Sequence, residues 1–326
     1  MQSDIKKIGV FTSGGDAPGM NAAIRAVVRA SIYYKKEVYG IMRGYEGMIE
    51  GDMVKLGARS VGNIIQRGGT ILKSARSELF RTPEGRKQAF EQLKKQGIDA
   101  LVAIGGDGTF TGLHVFHQEY GLPSLCIPGT IDNDIAGTDY TIGYDTATNT
   151  AVEAIDKIRD TALSHNRLFF VEVMGRHSGY IAINSGIAGG AGAIIVPEDG
   201  MSFEKLYALL GPEKEIAKKS NVVVVAEGSK IGGAMELARK VAERSSYFDI
   251  KVTILGHLQR GGSPTYFDRV LASKLGVAAV EGLLAGKTDA IVGIQKGEIK
   301  FTPYEVFSRS KHAINEDDLR IAKILS

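Results

Sequence analysis

The sequence predicts an α/β protein made of two doubly wound, three-layer lobes with a cleft between them. Three observations carry that prediction. Short apolar runs alternate along the chain with longer amphipathic ones, the order expected of strands and crossover helices. Most of the short runs are continuous Val/Ile/Leu without polar alternation, as in parallel strands covered on both faces. The chain has 326 residues, a length that suggests two domains at about 100–200 residues each.

The strand-like runs come in the order Ile8–Thr12, Val38–Met42, Ala100–Ile104, Leu125–Ile127, Leu168–Val173, Ile194–Val196, Val222–Ala226, Val252–Leu255 and Ala290–Ile294. They are many for one sheet, which favours two. Helical patterns lie between them at Asn21–Tyr33, Pro83–Lys95, Thr146–Ala162, Glu204–Lys218 and Asp268–Leu284. On the third of these, Val152, Ile155, Ile158 and Ala162 share one face. Ser178 to Pro197 runs for 20 residues without a formal charge, yet holds Asn184, Ser185 and glycines and ends at a proline. A buried small-residue helix running into a strand fits it better than a membrane span.

Composition narrows the function. Glycine makes up 41 of 326 residues, about 13% against an average near 7%. No G-x-y period is present and prolines are few, so either many tight turns or backbone that approaches a ligand explains the excess. The single cysteine, Cys126, excludes a disulfide scaffold and a thiolate metal site, and suits a reducing compartment. Lys6 and Lys7 precede only a short apolar run, unlike a secretory signal, so a cytoplasmic location is expected. A net charge of +3 gives no case for nucleic acid or an anionic membrane as partner.

Three glycine-bearing loops follow apolar strands, where ligands bind in doubly wound folds. Thr12-Ser13-Gly14-Gly15-Asp16-Ala17-Pro18-Gly19 opens a helix, and exposed N–H groups there suit phosphate; an ordinary tight turn explains it equally. Gly105-Gly106-Asp107-Gly108-Thr109 suits a nucleotide phosphate chain, with Asp107 as an oxygen ligand for Mg²⁺ or as a helix N-cap. Pro128-Gly129-Thr130-Ile131-Asp132-Asn133-Asp134 holds two carboxylates that extended backbone would point the same way. One could accept a proton from an attacking hydroxyl while the other orients it, or both could belong to a solvent turn. Cations for charge neutralisation are available at Arg76, Arg167, Arg176 and Arg260, and His257 could donate to a substrate oxygen.

Together these residues resemble the bacterial ATP-dependent 6-phosphofructokinases over almost the whole chain. The resemblance rests on TSGGDAPGMNAAIR (12–25), GGDGT (105–109), PGTIDNDI (128–135), VEVMGRHSGY (171–180) and LGHLQRGGSP (255–264). It implies transfer of the ATP γ-phosphate to the 1-hydroxyl of fructose 6-phosphate, the committed step of glycolysis, with Mg²⁺. It implies two Rossmann-like lobes, the larger over 1–139 plus 252–302 and the smaller over 140–251 plus 303–326. By position, Gly15, Arg76, Ser77, Gly106, Asp107, Gly108 and Thr109 match the nucleotide contacts, and Asp107 the metal ligand. Asp132 matches the general base, with Thr130, Ile131 and Asp134 beside it, and Arg176 a residue that stabilises the transferring group. Met174, Gly175, Glu227, His257, Leu258, Gln259 and Arg260 match sugar-phosphate contacts. Arg167 and Lys251 match a pair that reaches the 6-phosphate from a neighbouring subunit, which implies a homotetramer with shared active sites.

Relatives that use pyrophosphate usually carry Asp and Lys where this chain has Gly108 and Gly129, so ATP is the expected donor. The departures fall elsewhere. Lys251 stands where the family usually has Arg, which keeps charge and loses the bidentate fork, so weaker sugar-phosphate binding is expected. Arg25, Arg29, Arg159 and Lys218 match the family's effector site, but Gly192 replaces a metal-binding Glu, Ile216 a Lys and Ser220 a His. Ala58 occupies the place of the loop arginine and Arg59 follows it. Effector control by ADP or phosphoenolpyruvate is therefore in doubt. The competing readings are a pyrophosphate-dependent or other sugar-phosphate kinase, a GGDGT-type NAD kinase, and a nucleotide-binding regulatory protein on an inactivated kinase fold. Retention of Asp107 and Asp132 opposes the last.

Overall fold

The computed structural model describes residues 5–162, 167–210, 221–247, 249–309 and 314–325. It divides into two compact units: Met1–Ile131, Ile135–Asp145 and Arg260–His312 in the first, and Asp132–Asp134, Thr146–Gln259 and Ala313–Ser326 in the second.

In the first unit the strands are β1 (Lys7–Thr12), β2 (Glu37–Ile41), β3 (Met53–Leu56), β4 (Ala100–Gly105) and β5 (Ser124–Pro128). The second unit contributes β6 (Arg167–Val173), β7 (Ala193–Ile195), β8 (Val222–Ala226) and β9 (Asp249–Ile254). The chain then returns to the first unit for β10 (Ala290–Gln295) and β11 (Glu298–Pro303). The helices are α1 (Met20–Tyr33), α2 (Tyr45–Glu50), α3 (Pro83–Gln96), α4 (Asp107–Tyr120), α5 (Tyr144–Ala162), α6 (Tyr180–Ala188), α7 (Phe203–Leu210), α8 (Ala234–Arg244), α9 (Tyr266–Leu284), α10 (Tyr304–Arg309) and α11 (Glu316–Leu325).

The first sheet has the order β11-β10-β5-β4-β1-β2-β3. Its five inner strands are parallel. β4 and β5 are buried at every position, which is why their sequences carry no polar alternation. One face meets an aromatic core in which Phe11, Ile41, Tyr45, Phe80, Phe110, Phe116 and Phe307 join β1, β2, α2, α4 and α10. The other face is covered by α1 and α9, which cross closely. A Cβ on Gly276 would lie 2.6 Å from the Ala26 Cβ. Local signals set the helix ends. Thr82 accepts from the Gly85 N–H at 3.1 Å and Pro83 follows, while Gly97 closes α3 with φ of 71°.

Two strands lie outside the sequence expectation, β3 and β11, both antiparallel edges. β11 alternates exposed and half-buried residues, and only pairing with β10 selects it as strand. The β10–β11 hairpin turns on Lys296 and Gly297, with φ of 51° and 83°, both positive as a two-residue type I′ turn requires.

The second sheet has the order β7-β8-β6-β9, all parallel. The uncharged run 178–197 forms α6 followed by β7, and no helix among the described residues is long and apolar enough to cross a membrane. Of the helix expected at 204–218, α7 covers Phe203–Leu210 and the remainder lies outside the described residues.

The unit boundaries differ from those expected. Residues 252–259 belong with the second unit, because β9 pairs with β6 as far as Glu172↔Ile254. The return to the second unit comes after residue 312, since β11 leads directly into α10, whose Phe307 sits in the first unit's core.

Candidate active site

In the first unit the chain leaves β1 toward β2 and leaves β4 toward β5, in opposite directions across the sheet. This is the topological switch point, and the glycine loops stand at its carboxyl edge. Ser13 N–H donates to the Ile104 carbonyl at 3.1 Å, tying the two strand ends together. Gly105 permits that approach: a Cβ there would lie 2.5 Å from Thr109 Oγ1 and 2.6 Å from the Ser13 carbonyl oxygen. Gly14 has φ of 84°, and α1 starts only after the further turn at Pro18–Gly19, so Gly14 and Gly15 precede the helix rather than form its first residues.

Gly106 is the N-cap of α4 and no side chain caps it. Asp107 is the first helical residue and is exposed, which removes the capping explanation for it. The positive end of a 14-residue helix thus faces solvent beside Asp107, Gly108 and Thr109. A Cβ on Gly108 would meet nothing within 4 Å. Gly129 is more crowded: its Cβ would lie 3.0 Å from Ile104 Cγ2 and 3.2 Å from Met20 Cε, so a side chain there would need those neighbours to give way by a few tenths of an ångström. The third loop joins the second through Gly129 N–H to the Gly105 carbonyl, 2.8 Å, and Thr130 lies beside Gly106. Arg260 donates to the Asp16 carbonyl at 3.0 Å, and its guanidinium covers Gly15. Arg76 is exposed, and Ser77 Oγ accepts from Phe80 N–H at 3.2 Å, capping the short turn that follows. Ile131 is fully buried, main chain included, so it offers no exposed surface to a ligand.

In the second unit β6, β8 and β9 are neighbours, and their carboxyl ends present Met174–Arg176, Glu227 and His257. Arg176 Nε lies 3.7 Å from Asp132 Oδ2. Asp132 is buried, whereas Asp134 is exposed. The expectation that both carboxylates point the same way fails because Asn133 has φ of 49°, which breaks the extended alternation. Gly175 and Arg176 also take positive φ, 143° and 52°. Glu227 stabilises this turn: Oε1 accepts from Gly175 N–H at 3.1 Å and Arg176 N–H at 2.6 Å. Gly228 is needed too, since a Cβ there would overlap the Arg176 carbonyl oxygen.

Gln259 is fully buried, accepts from Met174 N–H at 2.8 Å and donates to the Ala147 carbonyl at 3.5 Å. It supports the Met174–Arg176 turn instead of presenting its amide to a ligand, as the sequence led one to expect. His257 and Leu258 are exposed on the turn after β9.

Arg167 and Lys251 do come together, on adjacent strands. The residue that joins them, Asp249, escaped the sequence reading. Its Oδ2 meets Arg167 Nε at 3.1 Å and its Oδ1 meets Lys251 Nζ at 2.7 Å. Those two bonds, Lys251 first and Arg167 second, hold the Asp249 carboxyl below the usual carboxylate range. The signal was present in sequence: residues 249 and 251 on a strand share a face.

The expected effector residues that are described are divided between the two units. Arg25 is half-buried on α1, and Arg29 and Arg59 are exposed in the first unit. Arg159 lies in the second, its guanidinium against Gly190, two residues before Gly192. Ile216, Lys218 and Ser220 lie outside the described residues.

The donor set suits Mg²⁺ bound mainly through phosphate and water. No group of three or more His, Cys, Asp or Glu gathers to cage a metal among the described residues. Asp107 supplies one exposed, hard carboxylate at a helix N-terminus of the kind that suits phosphate, which is the protein share that Mg²⁺ takes in such sites.

A family model described as phosphofructokinase matches residues 7–283. An ATP-dependent 6-phosphofructokinase from Cytophaga hutchinsonii is 55% identical over 322 residues, 99% of this chain and 98% of that protein. ATP-dependent 6-phosphofructokinase 1 from Thermus thermophilus is 56% identical over 99% of this chain and its own full length. Among solved structures, phosphofructokinase from Saccharomyces cerevisiae superposes with a TM-score of 0.87 at 37% identity, over 98% of this chain and 48% of that one. This chain therefore spans about half the length of the yeast chain. A pyrophosphate-dependent phosphofructokinase from Marinobacter aquaeolei gives a TM-score of 0.84 at 20% identity, over 98% of this chain and 91% of that one. At that identity the likeness concerns the fold alone.

Proposed function

The chain belongs to the phosphofructokinase family, and we propose that it phosphorylates the 1-hydroxyl of fructose 6-phosphate with ATP, yielding fructose 1,6-bisphosphate and ADP. The observation that carries this reading is the buried Asp132 carboxylate with Arg176 beside it.

The roles divide by unit. In the first, the N–H groups around Gly14, Gly15 and Gly106 and the positive end of α4 bind the nucleotide phosphates, with Arg76 as a cation, and Arg260 keeps its role as a sugar-phosphate contact. Mg²⁺ held by Asp107 would neutralise phosphate charge when bound. In the second, Asp132 takes the proton from the substrate hydroxyl as it attacks the γ-phosphorus. Arg176 stabilises the charge on the transferring phosphoryl oxygens. Its main chain is held in a left-handed conformation by Glu227 and Gly228, so the side chain starts from a fixed point beside Asp132. Thr130 and His257 contact the sugar phosphate.

Arg167 and Lys251 stand on β6 and the sheet-edge strand β9, held by Asp249 and away from Asp132 along their strands, at the amino ends. That placement supports their serving the 6-phosphate of a neighbouring subunit in a homotetramer, so assembly would complete the active site. The open space at Gly108 supports ATP over pyrophosphate as donor.

One coupled assay tests the reading: fructose 6-phosphate with ATP or with pyrophosphate, monitoring fructose 1,6-bisphosphate. Product with ATP and none with pyrophosphate is expected. Absence of ATP-dependent product would refute the proposal, and pyrophosphate-dependent product would replace the donor.

A further inference from the structure

Asn21 is 1% exposed at the start of α1, and its amide is spent on a single loop. Nδ2 donates to the Arg67 and Gly68 carbonyls, each at 3.1 Å, and Oδ1 accepts from Ile71 N–H at 2.8 Å. The loop is anchored from two other directions. Thr12 Oγ1 lies 2.9 Å from Thr70 Oγ1 and donates to the Lys73 carbonyl at 2.8 Å. Ser263 Oγ donates to the Gln66 carbonyl at 2.7 Å, and Gly68 packs so closely on Gly262 that a Cβ would overlap its carbonyl oxygen. Between β3 and the turn at residue 79 the chain forms neither strand nor α-helix. Main-chain bonds also hold it, with Arg43 N–H donating to the Leu72 carbonyl at 2.7 Å, but side-chain bonds supply most of its anchors to the rest of the fold, and Asn21 supplies more of them than any other residue named here. That path leads directly to Arg76.

We propose that Asn21 is a positioning residue for phosphoryl transfer: by clamping 67–71 it sets Arg76 against the nucleotide phosphates. Asn21 follows the Gly14–Gly15 loop in the same motif, so one segment both offers phosphate-binding N–H groups and fixes the cation that complements them. The inference rests on the reading of Arg76 as a nucleotide contact.

Asn21→Asp isolates the effect. It is isosteric and keeps the acceptor for Ile71 N–H, but loses both donors and turns a carboxylate on two carbonyl oxygens. Steady-state kinetics and thermal unfolding are compared for wild type, Asn21→Asp, Arg76→Ala and the double variant. Asn21→Asp should raise KM for ATP and lower kcat, together by about 10- to 100-fold in kcat/KM, with KM for fructose 6-phosphate unchanged. In the Arg76→Ala background the same change should cost less than about 2-fold, because its route of action is gone. Full additivity, or an altered Tm without altered kinetics, overturns the inference while leaving Arg76 as a nucleotide contact. An Arg76→Ala enzyme with wild-type kinetics overturns both. Should Asn21→Asp not fold, Gly68→Ala displaces the same loop from its other side and is read in the same cycle, with the same pattern expected.

Discussion

Arg176 Nε and Asp132 Oδ2 are 3.7 Å apart, with the carboxylate side chain 4% exposed and the guanidinium 59% exposed. The cation reaches out from the buried carboxylate toward solvent. In the proposed reaction it can meet charge that develops on a transferring phosphoryl group without leaving the carboxylate. Replacing Asp132 with Ser should lower kcat by about 10²–10⁴-fold with little change in KM for ATP. Arg176→Lys should retain only part of the wild-type rate, since a point charge replaces the planar fork. Rapid-quench or coupled kinetics on both variants measures this.

Gly228→Ala tests the support beneath that pair. The added Cβ would displace the Arg176 carbonyl and with it the turn that Glu227 fastens. A loss in kcat of about 10-fold or more is expected, at a modest cost in Tm. Glu227→Gln keeps an acceptor for the same two N–H groups and should do less damage than Glu227→Ala. Equal damage from the two would assign Glu227 a direct role on substrate.

Asp249 holds two cations that a phosphate dianion would also seek. Removing its charge with Asp249→Asn leaves Arg167 and Lys251 repelling each other, a state that a bound phosphate relieves. KM for fructose 6-phosphate should fall about 2- to 5-fold and become more sensitive to salt. Lys251→Arg should also lower KM, by restoring bidentate geometry. Titrations at two ionic strengths check both, and an unchanged KM in each would remove this pair from the binding site.

Arg86 grips Glu119 through two bonds, Nε to Oε2 at 2.7 Å and Nη2 to Oε1 at 2.6 Å, and also donates to the Phe80 and Arg81 carbonyls. It thereby links α3 to the far end of α4. The hydrogen bond from Arg86, with its charge, holds the Glu119 carboxyl below its ordinary value of 4.5. Unfolding exposes a carboxylate that binds a proton more readily. The stabilisation is therefore complete above that ordinary value and is lost as pH falls through the lower folded one. Denaturant unfolding should show no contribution from this pair to pH dependence between about 6 and 8. Glu119→Gln should cost about 1 kcal/mol at neutral pH and close to nothing once the carboxyl is protonated in the wild type.

The glycine loops at the strand ends were legible in sequence. A glycine pair after an all-apolar strand is a local signal, because the conformation that only glycine adopts easily belongs to the loop itself. The misread residues share another property. Gln259 and Asp134 stand in motif positions beside other candidate site residues, and nothing in their chemistry separates a ligand contact from a buried brace or an exposed turn. Burial assigned the first to bracing, and the left-handed Asn133 turned the second away from its neighbour.

The sequence by itself determined the parallel strands, the helices that cross over them, the glycine loops at their ends and the family. Hydrophobic period and steric permission act over a few residues and survive without tertiary context. The tertiary structure alone decided which charges and amides meet. Arg167 finds Asp249 at a separation of 82 residues, and Asn21 finds the Gly68 carbonyl at a separation of 47. Such partners are selected by sheet order and by the burial of polar groups that must then be satisfied. Edge strands β3 and β11 belong with them, since their pairing comes from the neighbouring strand more than from their own residues.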